Sequence, residues 1–282
     1  MNDAFQPVAR SYLFVPANRP ERFSKALDSG ADAVIFDLED AVAPESKRAA
    51  RAALQAWLAT ATASSAQVVV RINDDASSWF DEDLALLREF HGVTVMLPKT
   101  ESAQQVALLA AALPGCGVIA LIETARGVAA VDDIAHATGL QRLAFGTIDY
   151  ALDLGLADDP RGLLYPASRI ALASRVAGLP APVGGVTAAF GDDEALRSDV
   201  AQDRACGFGA KLCIHPRQIA PLHALLAPSA AQRDWAQRVI AAAGPASGAV
   251  QVDGKMVDRP VVLRARAILG HPSGPTKTHR IS

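Results

Sequence analysis

The feature that most constrains this chain is a repeated alternation. A short apolar run stops abruptly at a polar residue, and a segment with helical periodicity follows. Eight such runs occur: SYLFVP (11–16), AVIF (33–36), QVVVRI (67–72), VTVML (93–97), VIALI (118–122), LAF (143–145), PVGGVT (182–187) and AKLCI (210–214). Runs this short and this apolar read as strands buried on both faces, and the helices between them make those strands parallel. Pro20, Gly30, Pro44, Ser102, Gly115 and Gly178 punctuate the intervening helices. Right-handed crossovers permit either an open doubly wound sheet or a closed (β/α)8 TIM barrel. The strand count matches the barrel, and no GxGxxG follows the first strand as a dinucleotide fold requires. Polar residues also sit at or just beyond the C-terminal ends of most runs: Asn18, Asp37, Arg71, Lys99, Glu123, Asp149 and His215. A barrel gathers those ends on one face, whereas an open sheet would leave the outer ones too far apart to cooperate.

The expected organisation is a loose leader (1–10), an α/β barrel (11–227), a C-terminal helical arm or lid (228–270) and a disordered tail (271–282). Within the arm, a helix over 230–243 is joined by a flexible link, 244–254, to a last helix ending at Leu269. Gly244, Gly248 and Gly254 are its hinge candidates, and an arm so linked is free to pack on a neighbouring subunit. The helix after Pro44 is expected to place Lys47, Arg48 and Arg51 on one side, with Ala53, Leu54, Trp57 and Leu58 nearer the other. Half of the 282 residues are apolar, enough for a sizeable core. A net charge of −3 gives no case for nucleic-acid or membrane binding. The three cysteines show no zinc-binding spacing and fit a reducing compartment. With no apolar signal core and no run of about 18 apolar residues, a soluble cytoplasmic protein is expected.

Glu123 and Asp149 lie one β/α repeat apart, each just beyond a buried strand. Their carboxylates can converge on a hard cation; the competing reading is that both cap helices or form salt bridges. Asp37, Glu39 and Asp40 crowd three acids directly after another buried strand, which is costly unless they pair or meet a cation. The alternative there is a polar loop with Asp40 as a helix cap. Arg71 follows VVV at a barrel mouth and is a candidate for bidentate anion recognition, or a structural partner of those acids. Asp258, in GKMVDRP, reads locally as the N-cap of the helix containing Pro260. His215-Pro216 reads as a strand-to-helix turn.

Four sets of segments taken together resemble one family: residues 11–26 (SYLFVPANRPERFSKA), 33–42 (AVIFDLEDAV), 121–127 with 146–149 (LIETARG and GTID), and 211–218 with 254–260 (KLCIHPRQ and GKMVDRP). They are similar to the citrate lyase β-subunit-like (HpcH/HpaI aldolase/citrate lyase) family, which includes malyl-CoA, citramalyl-CoA and citryl-CoA lyases. The resemblance covers roughly residues 11–270. It implies a Mg²⁺-dependent (β/α)8 barrel, usually a homotrimer, that breaks or forms a carbon–carbon bond next to a CoA thioester. It implies that Glu123 and Asp149 hold Mg²⁺ and that Asp37 and Glu39 orient the groups around it. Arg71 would face the substrate carboxylate or thioester oxygen, and Phe14, Arg19 and Lys25 would contact CoA. Asp258 would reach into a neighbour's site as general acid/base. The expected reaction cleaves a 3-hydroxyacyl-CoA to acetyl-CoA and a 2-oxo acid. Alternatives are a malyl-CoA thioesterase or malate-synthase-like activity, or a citrate lyase β subunit that depends on an acyl carrier.

Overall fold

The computed structural model describes residues 8–61, 63–157, 159–243, 250–270 and 279–280. Eight parallel strands close into a barrel in chain order. They are β1 (Ser11–Pro16), β2 (Ala33–Asp37), β3 (Gln67–Arg71), β4 (Thr94–Leu97), β5 (Gly117–Ile122), β6 (Leu140–Phe145), β7 (Val183–Gly184) and β8 (Ala210–Cys213). The helices of this layer are α1 (Phe23–Leu27), α2 (Lys47–Thr60), α3 (Phe80–Leu87), α4 (Ala103–Ala112), α5 (Ala125–Ala129), α6 (Val131–Ala135), α7 (Thr147–Leu154), α8 (Leu164–Val176), α9 (Asp193–Cys206) and α10 (Ile219–Leu226). The expected start of α4 at Ser102 is met by a capping box with Gln105.

Side chains alternate along each strand, and one set fills the barrel. Tyr12, Ala33, Ile35, Val69, Met96, Ile119, Leu121, Ala144, Val183, Ala210 and Leu212 form that inner core, with Phe14 packed against it. Period two carries the same inward rows upward to Asp37, Arg71, Glu123 and Gly146. The barrel therefore sorts these polar positions inward without any special turn. The register strengthens this, because Asp37 lies directly beside Arg71 on neighbouring strands. The other set faces the helices: Phe36 meets Phe23 of α1 edge-on at 4.8 Å and Trp57 of α2 at 4.6 Å, contacts of about 0.5–1.5 kcal/mol each beyond their buried area.

Several expectations are corrected. The leader is not loose at its end: Ala9 is buried, its carbonyl accepts from Arg142 Nη1 at 2.6 Å, and Arg10 N donates to Asp32 at 2.7 Å. Arg142 also donates to Ala181 O and Tyr12 Oη, so its guanidinium plugs the N-terminal mouth of the barrel. Residues 1–7 lie outside the described residues. In α2, Lys47 and Arg51 lie on the buried side with Ala50, Leu54 and Leu58. A further helix, α7, begins immediately after β6 and carries Asp149 in its first turn.

The chain divides into two compact units at His223/Ala224. The second is a small body of α11 (Ala230–Ala242), a two-stranded hairpin of β9 (Val250–Val252) and β10 (Lys255–Val257), and α12 (Arg259–Leu269). Its core is Ala236, Val239, Val252, Val257 and Ala265. The expected flexible link over 244–254 is in part this hairpin. Asp253 and Gly254 both take positive φ, 51° and 76°, the two-residue turn that Asp-Gly favours because its twist matches that of the strands. Gly254 thus belongs to a hairpin turn, while Gly244 and Gly248 lie outside the described residues. So does the expected disordered tail, except that His279–Arg280 pair antiparallel with Ala63–Ser64. No helix among the described residues is long and apolar enough to cross a membrane.

Candidate active site

The C-terminal mouth of the barrel holds one connected cluster of charge. Arg71, at the end of β3, donates Nε to Asp37 Oδ1 at 2.8 Å and Nη2 to Asp37 Oδ2 at 2.6 Å. Its Nη1 lies 2.8 Å from Glu39 Oε2 and 3.7 Å from Asp40. The Glu39 contact is an ion pair off the N–H direction, because Oε2 of Glu39 is buried with no well-directed hydrogen bond. Phe14 lies beneath, its ring centre 4.8 Å from the guanidinium. The acids that surround Arg71 outweigh the cost of burial and hold its pKa above the ordinary arginine value. A fork bound in this way to Asp37 retains at most three of its five N–H groups for an incoming anion. Both readings of Arg71 therefore share one side chain: it is a structural partner of Asp37, and part of its fork remains for a ligand.

Glu39 also accepts from Lys99 Nζ at 2.8 Å. Lys99, just beyond β4, turns its backbone N–H to Glu123 Oε1 at 2.8 Å. Glu123 is 2 % exposed, on the inward row beyond β5. Burial first, and then the charge of Glu39, push its carboxyl up to about 8; the Lys99 N–H and Arg71 oppose this, and Asp149 adds to it. Burial likewise raises Glu39, against the pull of Arg71 and Lys99. A carboxyl raised by burial and by a neighbouring acid, as Glu123 is, is in the condition that a bound cation relieves. Glu123 Oε2 points over Gly146, where a side-chain Cβ would sit only 2.5 Å away. The missing side chain lets the Glu123 carboxylate lie directly against the backbone at Gly146.

Neither acid of the pair is a helix N-cap. Thr124 caps α5, accepting from Gly127 N, and Gly146 occupies the cap position of α7. Asp149, half-buried, sits in the first turn of α7, where the helix dipole favours an anion. Its charge contributes to raising Glu123, so the two carboxylates share one field. Among the described residues no three His, Cys, Asp or Glu side chains form a ready-made metal cage. Two carboxylates with water or ligand oxygens filling the remaining positions is the habit of Mg²⁺ rather than of Zn²⁺.

Lys47 is the residue that sequence reasoning misplaced. It is 5 % exposed, and its Nζ donates to Leu38 O at 2.7 Å, Glu39 O at 2.7 Å and Asn73 Oδ1 at 2.6 Å. It thereby ties the loop after β2, which carries Glu39, to the loop after β3. Asn73 is held in turn by Asp83, which also pairs with Arg51 at 3.2 Å. The spacing 47, 50, 51, 54, 58 is one helical stripe and was the available signal. The alternative reading of Asp40 as a helix cap does not hold, since Ala43 is the residue before Pro44 at that helix start.

The remaining expected residues belong to other elements. Arg19 is exposed in the loop after β1, paired with Glu21 at 2.6 Å, and Lys25 is exposed on α1. His215 fixes its turn as expected, through a capping box with Gln218. Asp258 belongs to the second unit. It is exposed and caps α12, accepting from Val261 N at 3.2 Å.

Comparison with known proteins identifies the class. Residues 10–216 match the model of the HpcH/HpaI aldolase/citrate lyase family. The chain belongs to that family. It is 40 % identical to a citrate lyase subunit beta-like protein of Deinococcus radiodurans, over 93 % of this chain and 96 % of the relative. It is 36 % identical to a (3S)-malyl-CoA thioesterase of Cereibacter sphaeroides, over 92 % and 93 % of the two chains. Among solved structures, CitE of Mycobacterium tuberculosis in complex with magnesium, acetoacetate and coenzyme A superposes with a TM-score of 0.80 at 36 % identity, covering 93 % of this chain and 97 % of that one. The (β/α)8 barrel read from the alternation of strands and helices is the fold of this family member.

Proposed function

We propose that this chain is a Mg²⁺-dependent carbon–carbon lyase. It cleaves a carboxylate-bearing 3-hydroxyacyl-CoA, of the malyl-, citramalyl- or citryl-CoA kind, to acetyl-CoA and a 2-oxo acid. The observation that carries this reading is Glu123: a buried carboxyl with its pKa raised to about 8, lying against Gly146 and next to the Arg71 cluster. Magnesium, coenzyme A and acetoacetate together in the related CitE structure support it.

Glu123 and Asp149 hold the ion, which supplies a Lewis acid for a vicinal pair of hydroxyl and carboxylate oxygens. Asp37 and Glu39 fix Arg71 so that its spare N–H groups face the thioester oxygen, where negative charge develops. A base takes the hydroxyl proton, the bond between the carbinol carbon and the methylene breaks as the carbinol carbon becomes the 2-oxo carbonyl, and the electron pair of that bond passes into the thioester enolate. Protonation of the methylene carbon completes acetyl-CoA, and we assign that proton to Asp258 from a neighbouring protomer of a homotrimer. Phe14 packs under the acyl end, while Arg19 and Lys25 provide cations for the CoA phosphates.

Turnover of Asp149→Ala in excess Mg²⁺ tests the metal assignment; retained activity contradicts it. The identity with a malyl-CoA thioesterase favours one second reading, in which water rather than carbon–carbon scission consumes the substrate. Product analysis separates the two: the lyase releases acetyl-CoA with a 2-oxo acid, the thioesterase free CoA with the intact hydroxy acid.

A further inference from the structure

Lys99 has a left-handed backbone, φ 45°, without being glycine. Asp253, which shares this conformation, sits in a hairpin turn that demands it. Lys99 sits in no hairpin; it follows Pro98 at the end of β4. Non-glycine residues keep such a backbone only where their surroundings over-determine it. Two contacts do so here: the N–H donates to Glu123 Oε1 at 2.8 Å, and Nζ lies 2.8 Å from Glu39 Oε1 and 3.6 Å from Asp74. One residue thus holds carboxylates that follow three different strands.

The two contacts are not equal. The Lys99 side chain is 44 % exposed, so solvent screens its ion pairs and weakens them. The backbone bond goes to a carboxyl that is 2 % exposed, where water does not compete with it and the low local dielectric strengthens it. We propose that Lys99 is a positioning residue that acts through its main chain. Its left-handed backbone aims the N–H at Glu123 Oε1, so that Oε2, above the missing Cβ of Gly146, is the oxygen presented to a divalent cation. The ammonium group is secondary. This inference rests on the assignment of Glu123 as a metal ligand.

The test is calorimetric titration of Mg²⁺ alone into the wild-type chain, Lys99→Gly, Lys99→Asn, Lys99→Val and Glu123→Gln, with metal-free melting recorded for each. Gly and Asn accept a left-handed backbone and valine does not. Lys99→Gly and Lys99→Asn should bind Mg²⁺ within about threefold of wild type, and Lys99→Val about 10–100-fold more weakly, the scale for losing a group that orients a metal ligand. Equal affinities for the Val and Gly variants overturn the proposal. So do equal losses in all three Lys99 variants, which would assign the effect to the ammonium. If Lys99→Val does not fold, Lys99→Ala replaces it, and a loss of less than about threefold relative to Lys99→Gly overturns the proposal. Undiminished binding in Glu123→Gln overturns the metal assignment itself, a result distinct from failure in the Lys99 series alone.

Discussion

Gly146→Ala is a one-carbon change whose effect follows from the geometry. Gly146 has φ −85° and ψ 84°, which alanine tolerates, so the substitution acts through space rather than through backbone strain. The added Cβ would sit 2.5 Å from Glu123 Oε2 and 2.6 Å from Glu123 Cβ. Carbon contacts relax at about 3.5 Å, so the carboxylate or the loop has to give way by roughly 1 Å. The loop is pinned, because Gly146 N donates to Ile122 O at 2.9 Å. Glu123 therefore moves, against its 2.8 Å bond from Lys99. A displacement of about 1 Å at a reacting group costs on the order of 100-fold in rate. Overpacking costs about 1–3 kcal/mol of stability, a few degrees of melting temperature per kcal/mol at this size. The assay is steady-state kinetics over a Mg²⁺ series with melting curves beside it. We expect a fall of about 100-fold in kcat/KM with a folded protein. Activity within about threefold of wild type would refute the claim that Glu123 Oε2 needs that space.

Four further outcomes concern Glu123, Lys47 and Asp258. Mg²⁺ has to displace a proton from Glu123 below about pH 8, so its apparent dissociation constant should fall about tenfold per pH unit between pH 6 and 8 and level off above; a flat profile by calorimetry contradicts this. The sign for metal-free stability is opposite. Glu123 is raised above its ordinary value of 4.5, so the folded state keeps a proton that the unfolded chain releases, and stability declines as pH rises from about 4.5 to 8. Lys47→Met leaves Leu38 O, Glu39 O and Asn73 Oδ1 without their donor and should cost about 3–5 kcal/mol in urea unfolding; a loss under about 1 kcal/mol would show that the clamp contributes little. Mixing inactive Asp258→Asn with inactive Glu123→Gln protomers should restore part of the activity, because a hybrid assembly contains intact composite sites. No recovery after verified subunit exchange argues against a shared site.

The barrel was legible because parallel strands are buried on both faces and read as unbroken apolar runs. The polar residues ending those runs then had only one face to meet on. Asp37, Arg71 and Glu123 could be anticipated for that reason, as could the pairing of Arg71 with Asp37. What was not legible came from elsewhere. Lys47 looked like an exposed helix lysine, because its helical stripe outweighs the habit of placing cations outside only once three oxygens surround the ammonium. The helix carrying Asp149 was hidden by Ile148, Leu152 and Leu154, which are exposed and draw no inward stripe. The Asp253-Gly254 hairpin was read as a flexible link because glycine and alanine upstream masked a two-residue turn signal. The role of Gly146 is a distance to another strand, which no local pattern carries.

The most direct test of the account is product analysis with the purified wild-type chain. Malyl-, citramalyl- and citryl-CoA are supplied separately, with Mg²⁺ and with the metal chelated, and acetyl-CoA, 2-oxo acid and free CoA are quantified together. The account predicts acetyl-CoA and a 2-oxo acid in equal amounts from at least one substrate, only when Mg²⁺ is present. Free CoA with intact hydroxy acid, or cleavage that persists without the metal, would contradict it.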